Sequence, residues 1–356
     1  MSDRRREPQR TEDPVLSVRD LVVEFATSDG VLRAVDGVSF DLYPGETLGV
    51  VGESGSGKTV SALSILGLLP RPAGSIAGGE IIFEGRDLTR LSKAEMRKIR
   101  GGQIGMVFQD PMTSLNPVLR VGFQIAETIK VHMPNLGADR VRMQGIDLLS
   151  SVRVSNPEQR YEEFPHQYSG GMRQRAMIAI ATANQPKVLI ADEPTTALDV
   201  TIQAQVLESL QNARAKTNAS MIIITHDLGI IAEMADRVIV MYGGRIVETG
   251  DVRSIFASSS HPYTLGLLES LPRLEVDVDR LTPISGQPPS LVNLPSGCPF
   301  HPRCQLSAGR EVCRTVRPDL IDSASGSMSA CHFQEEMPEE PRRMAALRHS
   351  PDREAT

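Results

Sequence analysis

Gly52-Glu53-Ser54-Gly55-Ser56-Gly57-Lys58-Thr59 follows the apolar run Thr47-Leu48-Gly49-Val50-Val51 and leads into Val60-Ser61-Ala62-Leu63-Ser64-Ile65-Leu66. The order is strand, glycine loop, helix. Its spacing, GxxxxGK[ST], is the P-loop pattern, and each fixed position has a physical reason. Gly52, Gly55 and Gly57 let the backbone turn its N–H groups inward, making an anion nest at a helix N-terminus where the dipole favours negative charge. Lys58 reaches terminal phosphates as a point charge, and the Thr59 hydroxyl is a Mg²⁺ ligand. The whole loop, Glu53, Ser54 and Ser56 included, is therefore the candidate nucleotide contact. A glycine-rich turn would carry the four fixed residues by accident roughly once in a hundred chains of this length, so the sequence predicts an ATP-type site with Mg²⁺.

Outward from the loop, short β-like runs precede it: Leu21-Val22-Val23-Glu24-Phe25 and Val38-Ser39-Phe40-Asp41-Leu42, around a Ser28-Asp29-Gly30 turn. They predict an antiparallel sheet leading into the P-loop, with Phe25 placed to stack on a purine base or to serve as a core ring. Downstream, Glu80-Ile81-Ile82-Phe83-Glu84-Gly85 reads as a strand, Leu91 to Arg100 as a charged helix, and Ile104 to Asp110 as a strand ending in the polar amide of Gln109. Residues 111 to about 165 are helical by pattern, punctuated by prolines. Then Tyr168-Ser169-Gly170-Gly171-Met172-Arg173-Gln174-Arg175 leads into an apolar helix over Ala176 to Thr182. Ser169 can cap that helix, and the two glycines let phosphate oxygens approach its N–H groups.

The run Lys187-Val188-Leu189-Ile190-Ala191-Asp192-Glu193-Pro194 is a buried-type strand ending in two acids. After a P-loop, Asp192 is placed to hold the Mg²⁺ shell and Glu193 to take a proton from attacking water. Met221-Ile222-Ile223-Ile224-Thr225-His226-Asp227 ends another strand, where His226 can sense a terminal phosphate.

The ordered set of GESGSGKT, Gln109, YSGGMRQR, VLIADEP, Ala197-Leu198-Asp199 and His226 resembles the nucleotide-binding subunits of ATP-binding cassette (ABC) transporters, over roughly residues 15 to 335. The resemblance implies an α/β P-loop NTPase: a RecA-like core with an antiparallel β subdomain and a helical subdomain. Two cassettes pair head to tail in such proteins, each ATP lying between the P-loop of one and the Ser-Gly-Gly signature of the other. Carried onto this chain, Phe25 stacks on adenine and Gln109 joins the Mg²⁺ site and signals to the membrane subunits. Ser169, Gly170 and Gly171 meet the partner's γ-phosphate, Asp199 crosses the dimer interface, and Glu193 with His226 supports hydrolysis. The usual LSGGQ signature reads Tyr168-Ser169-Gly170-Gly171-Met172 here, so the Met172 position lacks the amide. The stretches Phe108 to Pro117 and His261-Pro262-Tyr263-Thr264 resemble the dipeptide and oligopeptide importer ATPases, whose relatives also carry nickel and other solutes. That resemblance implies two transmembrane permease subunits, an extracytoplasmic peptide-binding protein acting indirectly, and a distinct sister ATPase forming a heterodimer.

After Gly250 the chain turns Pro-rich, and its four cysteines, Cys298, Cys304, Cys313 and Cys331, all fall there. Clustered Cys in a chain read as cytosolic argues for metal ligation over disulfides. The spacing has no CxxC pair, unlike common zinc modules, whereas four thiolates satisfy a [4Fe–4S] cluster. Zinc and reduced packing thiols are the alternatives, and some relatives of the resembled group hold such a cluster. His301 and His332 are read as bystanders. The expected divisions are a disordered tail over 1–14, a nucleotide-binding domain over 15–255 with its helical subdomain at about 111–175, a small Cys-containing C-terminal extension over 256–335, and a disordered tail over 336–356.

A net charge of −6 gives no bulk drive toward nucleic acid. The N-terminus does not read as a signal peptide and no stretch approaches 18 apolar residues. The expected place is the cytoplasmic face of the membrane, peripheral and docked on spanning partners. A soluble cassette ATPase acting on DNA or ribosomes is the alternative class. It fits less well, because the interval from Gly52 to Ser169 has no sustained heptads and the chain holds one cassette.

Overall fold

The computed structural model describes residues 13–28, 30–196, 198–270 and 284–337. Most of the two expected tails, Asp29 of the expected turn and Ala197 lie outside the described residues. In chain order the elements are β1 (Leu16–Thr27), β2 (Gly30–Leu42), β3 (Thr47–Val51), α1 (Lys58–Ile65), β4 (Gly74–Phe83), β5 (Arg86–Asp87), α2 (Lys93–Ile99) and β6 (Ile104–Val107). Next come four helices, α3 (Pro111–Ser114), α4 (Val121–His132), α5 (Ala138–Ser151) and α6 (Pro157–Tyr161), and then α7 (Gly170–Thr182), β7 (Val188–Asp192), α8 (Val200–Thr217) and β8 (Ser220–Ile224). The rest is α9 (Leu228–Met234), β9 (Arg237–Tyr242), β10 (Arg245–Asp251), α10 (Val252–Ala257), α11 (Pro262–Glu269), α12 (Glu311–Thr315), β11 (Ile321–Asp322) and β12 (Met328–Ser329).

Two sheets result. A four-stranded antiparallel sheet runs β2-β1-β4-β5, and an eight-stranded sheet runs β11-β12-β10-β9-β3-β8-β7-β6. Strands β9, β3, β8, β7 and β6 of the second sheet are mutually parallel. All five residues of β3, of β7 and of β8 are buried, the pattern of strands covered on both faces.

Alternate residues of these strands serve two different cores, because successive side chains of a strand point to opposite faces. Val188 and Ile190 of β7 with Ile222 and Ile224 of β8 pack with Leu16, Val18 and Leu21 of the antiparallel sheet and with Ala62 and Ile65 of α1. Leu189, Ala191, Met221 and Ile223 pack instead with Ile178 of α7, Val206 of α8 and Ile231 of α9. Each such fully buried aliphatic side chain contributes about 1.5–3 kcal/mol. A one-residue slip would exchange the two faces, so the register is fixed from both sides.

The chain beyond α11 returns to this sheet. Strand β12 pairs antiparallel with β10 through Glu248↔Ser329 and Thr249↔Met328, so the Cys-bearing region lengthens the sheet at its antiparallel edge. Helix α7 begins at Gly170, earlier than the apolar pattern predicts, because the Ser169 side chain accepts from the Met172 N–H and caps it there.

Candidate nucleotide site

Parallel strands β3, β6, β7 and β8 all release the chain at one edge of the sheet, and the loops beyond them hold the P-loop, Gln109, Glu193 and His226 respectively. Ligands of open α/β sheets bind in such a crevice. The P-loop turns sharply into α1: Gly57 is the N-cap residue of that helix with φ 101°, and a Cβ there would stand 2.6 Å from the Ala34 carbonyl oxygen. Only glycine meets both demands.

Lys58 is 5% exposed, and its ammonium donates to the carbonyls of Gly52 at 2.7 Å and Glu53 at 2.9 Å. Burial lowers its pKa, opposed by the carboxylates of Glu193, Asp192 and Glu53. The Thr59 hydroxyl donates to Asp192 Oδ1 at 3.1 Å. Asp192 is 2% exposed, and burial pushes its carboxyl up to about 6; the Glu193 charge adds to this, while Thr59 and Lys58 oppose it. A buried carboxylate beside a hydroxyl, held reluctant to ionise, is a donor pair that a hard divalent cation satisfies. Among the described residues no group of three or more His, Cys, Asp or Glu side chains could hold a metal ion, and a nucleotide-bound Mg²⁺ does not require one, since phosphates and water complete its shell.

Glu193 takes φ 44°, a left-handed conformation costing a non-glycine residue about 1–2 kcal/mol. Its N–H is held by the Ile224 carbonyl at 2.8 Å. Its Oε2 accepts from Gln109 Nε2 at 2.9 Å and from the Thr196 hydroxyl at 2.8 Å, and lies 3.6 Å from His226 Nδ1. Thr196 carries no signal in the sequence beyond its place three residues after Glu193.

Residues 35–196 match the ABC transporter family, and residues 247–313 match the oligopeptide/dipeptide transporter C-terminal region. The Dipeptide transport ATP-binding protein DppD of Bacillus subtilis (strain 168) is 49% identical over 327 residues, 92% of this chain and 97% of that protein.

The chain belongs to the ABC transporter ATP-binding subunits.

DppD of Escherichia coli (strain K12) is 48% identical over 319 residues, 90% of this chain and 96% of that one. Among solved structures, the dimeric ATP-binding cassette MJ0796, in a post-hydrolysis state bound to ADP and Pi, superposes with a TM-score of 0.60 at 25% identity, covering 67% of this chain and 99% of that one. ATP and Mg²⁺ are accordingly the ligands of this ABC subunit, and it is an ATPase.

The remaining expected site residues stand apart from the P-loop network. Ser169 and Gly170 are exposed at the start of α7, and Asp199 caps α8 by accepting from the Ile202 N–H at 3.0 Å. The two helix starts pack together: a Cβ at Gly171 would lie 2.3 Å from Ile202 Cγ2, so only glycine permits this approach. Phe25 is half-buried in β1 opposite Gly74, where a Cβ at position 74 would lie 2.7 Å from its ring.

The four cysteines converge. All of them line one pocket, together with Phe300 and Phe333. Burial, with the neighbouring thiols adding to it, pushes Cys298 up to about 11 and Cys331 up to about 12. The free volume is about 10 Å³, room for one water at most, and the metal-holding arrangement is absent among the described residues. The expected [4Fe–4S] cluster thus meets a pocket of suitable donor chemistry, but the lining side chains fill the space that a cluster needs.

Two further residues, neither marked in the sequence as part of the site, grip the P-loop. The Glu53 N–H donates to the Tyr263 hydroxyl at 2.8 Å, and both Glu53 carboxylate oxygens accept from Arg303, at 2.6 and 2.9 Å. Tyr263 lies within the His261 to Thr264 stretch that marked the subfamily, but no local pattern tied either residue to a loop more than two hundred positions away.

Proposed function

We infer that the chain is the ATP-hydrolysing subunit powering import of di- and oligopeptides through a membrane ABC transporter. The observation that supports this best is the joining, in one chain, of the nucleotide site with a C-terminal region matching that of oligopeptide/dipeptide transporters. The names of the relatives in Bacillus subtilis and Escherichia coli agree.

In this reading the P-loop N–H groups and Lys58 bind the phosphates, and Thr59, Asp192 and Gln109 are the residues that would hold Mg²⁺, which neutralises phosphate charge when bound. Glu193 acts as general base. Gln109 and Thr196 occupy its Oε2, leaving Oε1 to take the proton of the attacking water, while His226 beside it senses the terminal phosphate. Ser169, Gly170 and Gly171 meet the phosphate bound by a second cassette, Asp199 crosses between cassettes, and Phe25 stacks on the base.

That second cassette is a distinct sister ATPase. Two transmembrane permease subunits dock on the pair, and a peptide-binding protein outside the membrane acts through them. The subunit is peripheral, on the cytoplasmic face of the membrane; no helix among the described residues is long and apolar enough to cross one. The chain divides into the cassette over 15–255, with its helical part at about 111–175, and the extension over 256–335. Cys298, Cys304, Cys313 and Cys331 are the ligand set that a [4Fe–4S] cluster would use, and no hydrolytic step uses it. Four irons per chain with broad visible absorption after anaerobic purification are expected; colourless, iron-free protein removes the cluster.

The deciding experiment is uptake of labelled di- and oligopeptides, with nickel in parallel, by cells carrying this chain or Glu193→Gln as the only copy. Loss of peptide uptake in the variant is expected. Loss of nickel uptake alone would move the substrate, and no change for any solute would favour a soluble ATPase.

A further inference from the structure

Glu53 is the second residue of the P-loop, and three groups hold it. Its carbonyl accepts from Lys58 Nζ at 2.9 Å, its N–H is taken by Tyr263, and its carboxylate is gripped in the bidentate fork of Arg303. Both distant partners are themselves buried and packed. Tyr263 is 0% exposed, its ring 4.6 Å from that of Tyr242 and 5.3 Å from that of Phe300. The Arg303 side chain is 6% exposed; its Nε donates to the Ser285 carbonyl at 3.0 Å and its Nη1 to the Tyr242 hydroxyl at 3.3 Å. Its backbone belongs to the short turn His301–Arg303, which leads into Cys304, a lining residue of the cysteine pocket.

The glycines that let the P-loop form its nest also leave it many alternative conformations. A loop that binds phosphate only in one of them has its affinity reduced by the fraction of time spent elsewhere. Something must therefore hold the loop's first turn in place before the nucleotide arrives. Glu53 gives that hold a handle outside the nest, since an Arg–carboxylate fork fixes direction as well as distance.

We propose that Arg303 and Tyr263, contributed by the C-terminal region, are positioning residues for the phosphate loop: they clamp Glu53 so that Lys58 and the nest N–H groups are preset for the phosphates of ATP. The proposal rests on the nucleotide reading of this site. It makes the C-terminal region a working part of the ATP site, in addition to a strand-lending edge of the sheet.

The test measures ATP affinity of the full chain by calorimetry, and KM and kcat for ATP hydrolysis by the complex assembled with its sister cassette and permease subunits, in Arg303→Met, Glu53→Gln and the double variant. Losing the clamp lowers the competent fraction, so the ATP Kd and KM rise about threefold to tenfold in each single variant. The double variant is no worse than the singles, because both remove one interaction, and in Arg303→Met, outside the loop, kcat stays within about twofold. Arg303→Lys recovers only part of the affinity, since an ammonium cannot form the fork. Tyr263→Phe, which removes one hydroxyl without changing the packing, serves where Arg303→Met does not fold, and it too should raise the Kd. Wild-type ATP affinity in these variants, or a fall in kcat at constant KM, overturns the proposal. A wild-type chain that binds no ATP overturns the nucleotide reading, and the proposal with it.

Discussion

Asp192→Asn should stabilise the nucleotide-free chain while destroying its use of Mg²⁺. Burial raises the Asp192 carboxyl from 3.8 to about 6. At 1.36 kcal/mol per unit, that difference makes the ionised side chain cost about 3 kcal/mol of folding stability once the pH exceeds both values. The sign follows from the direction of the shift. A raised acid contributes its stability in full only below the unfolded value of 3.8, and loses it as pH rises through the folded value near 6. Asparagine keeps an acceptor for the Thr59 hydroxyl and carries no charge, so the variant should exceed wild type by up to about 3 kcal/mol at pH 8, with roughly half of that left near pH 5. The assay is urea denaturation of both proteins without nucleotide at several pH values, repeated with ATP and Mg²⁺. Nucleotide with Mg²⁺ should stabilise wild type more at pH 8 than at pH 5.5, because metal and proton compete for one carboxylate, and should do little for the variant. Equal stability of the two proteins at pH 8, or a gap that does not narrow as pH falls, would refute the claim that Asp192 is strained by burial.

Glu193→Gln should leave ATP bound and slow turnover about 10²- to 10⁴-fold, the usual worth of a general base, as read by single-turnover hydrolysis beside equilibrium binding. Lys58→Ala should instead weaken ATP binding itself, which calorimetry separates from a turnover defect. Gly171→Ala should destabilise the chain by about 1–3 kcal/mol through overpacking, since its methyl would meet Ile202 Cγ2 at 2.3 Å, and denaturation should show it without nucleotide. Cys298, with its thiol pushed up to about 11, should be alkylated in metal-free protein at pH 8 about a hundredfold or more slowly than an ordinary thiol, because the thiolate reacts; mass spectrometry of iodoacetamide-treated protein measures this.

Much of this site was legible because its chemistry is written locally. Asp192 and Glu193 end a run that is wholly apolar, and an uninterrupted apolar run is what a strand buried on both faces requires. Helix α7 was harder. Its hydrophobic pattern starts late, whereas the cap that starts the helix is a single hydroxyl on Ser169, and a lone Ser-Gly-Gly resembles any N-cap. The cysteines illustrate the reverse: their common location is visible in the chain, but the volume between them is a property of packing.

The sequence by itself determined the class of protein, since nests, caps and buried strands depend on residues within a few positions of each other, where spacing and side-chain type are enough. Only the tertiary structure decided what surrounds the P-loop. Glu53 meets Tyr263 and Arg303 because β9 is parallel to β3 and the chain after it folds back beside the loop, a contact spanning 210 and 250 residues. Contacts so distant in sequence leave no periodicity or spacing behind them. They are set by which strands pair, and become visible only when the sheet is assembled.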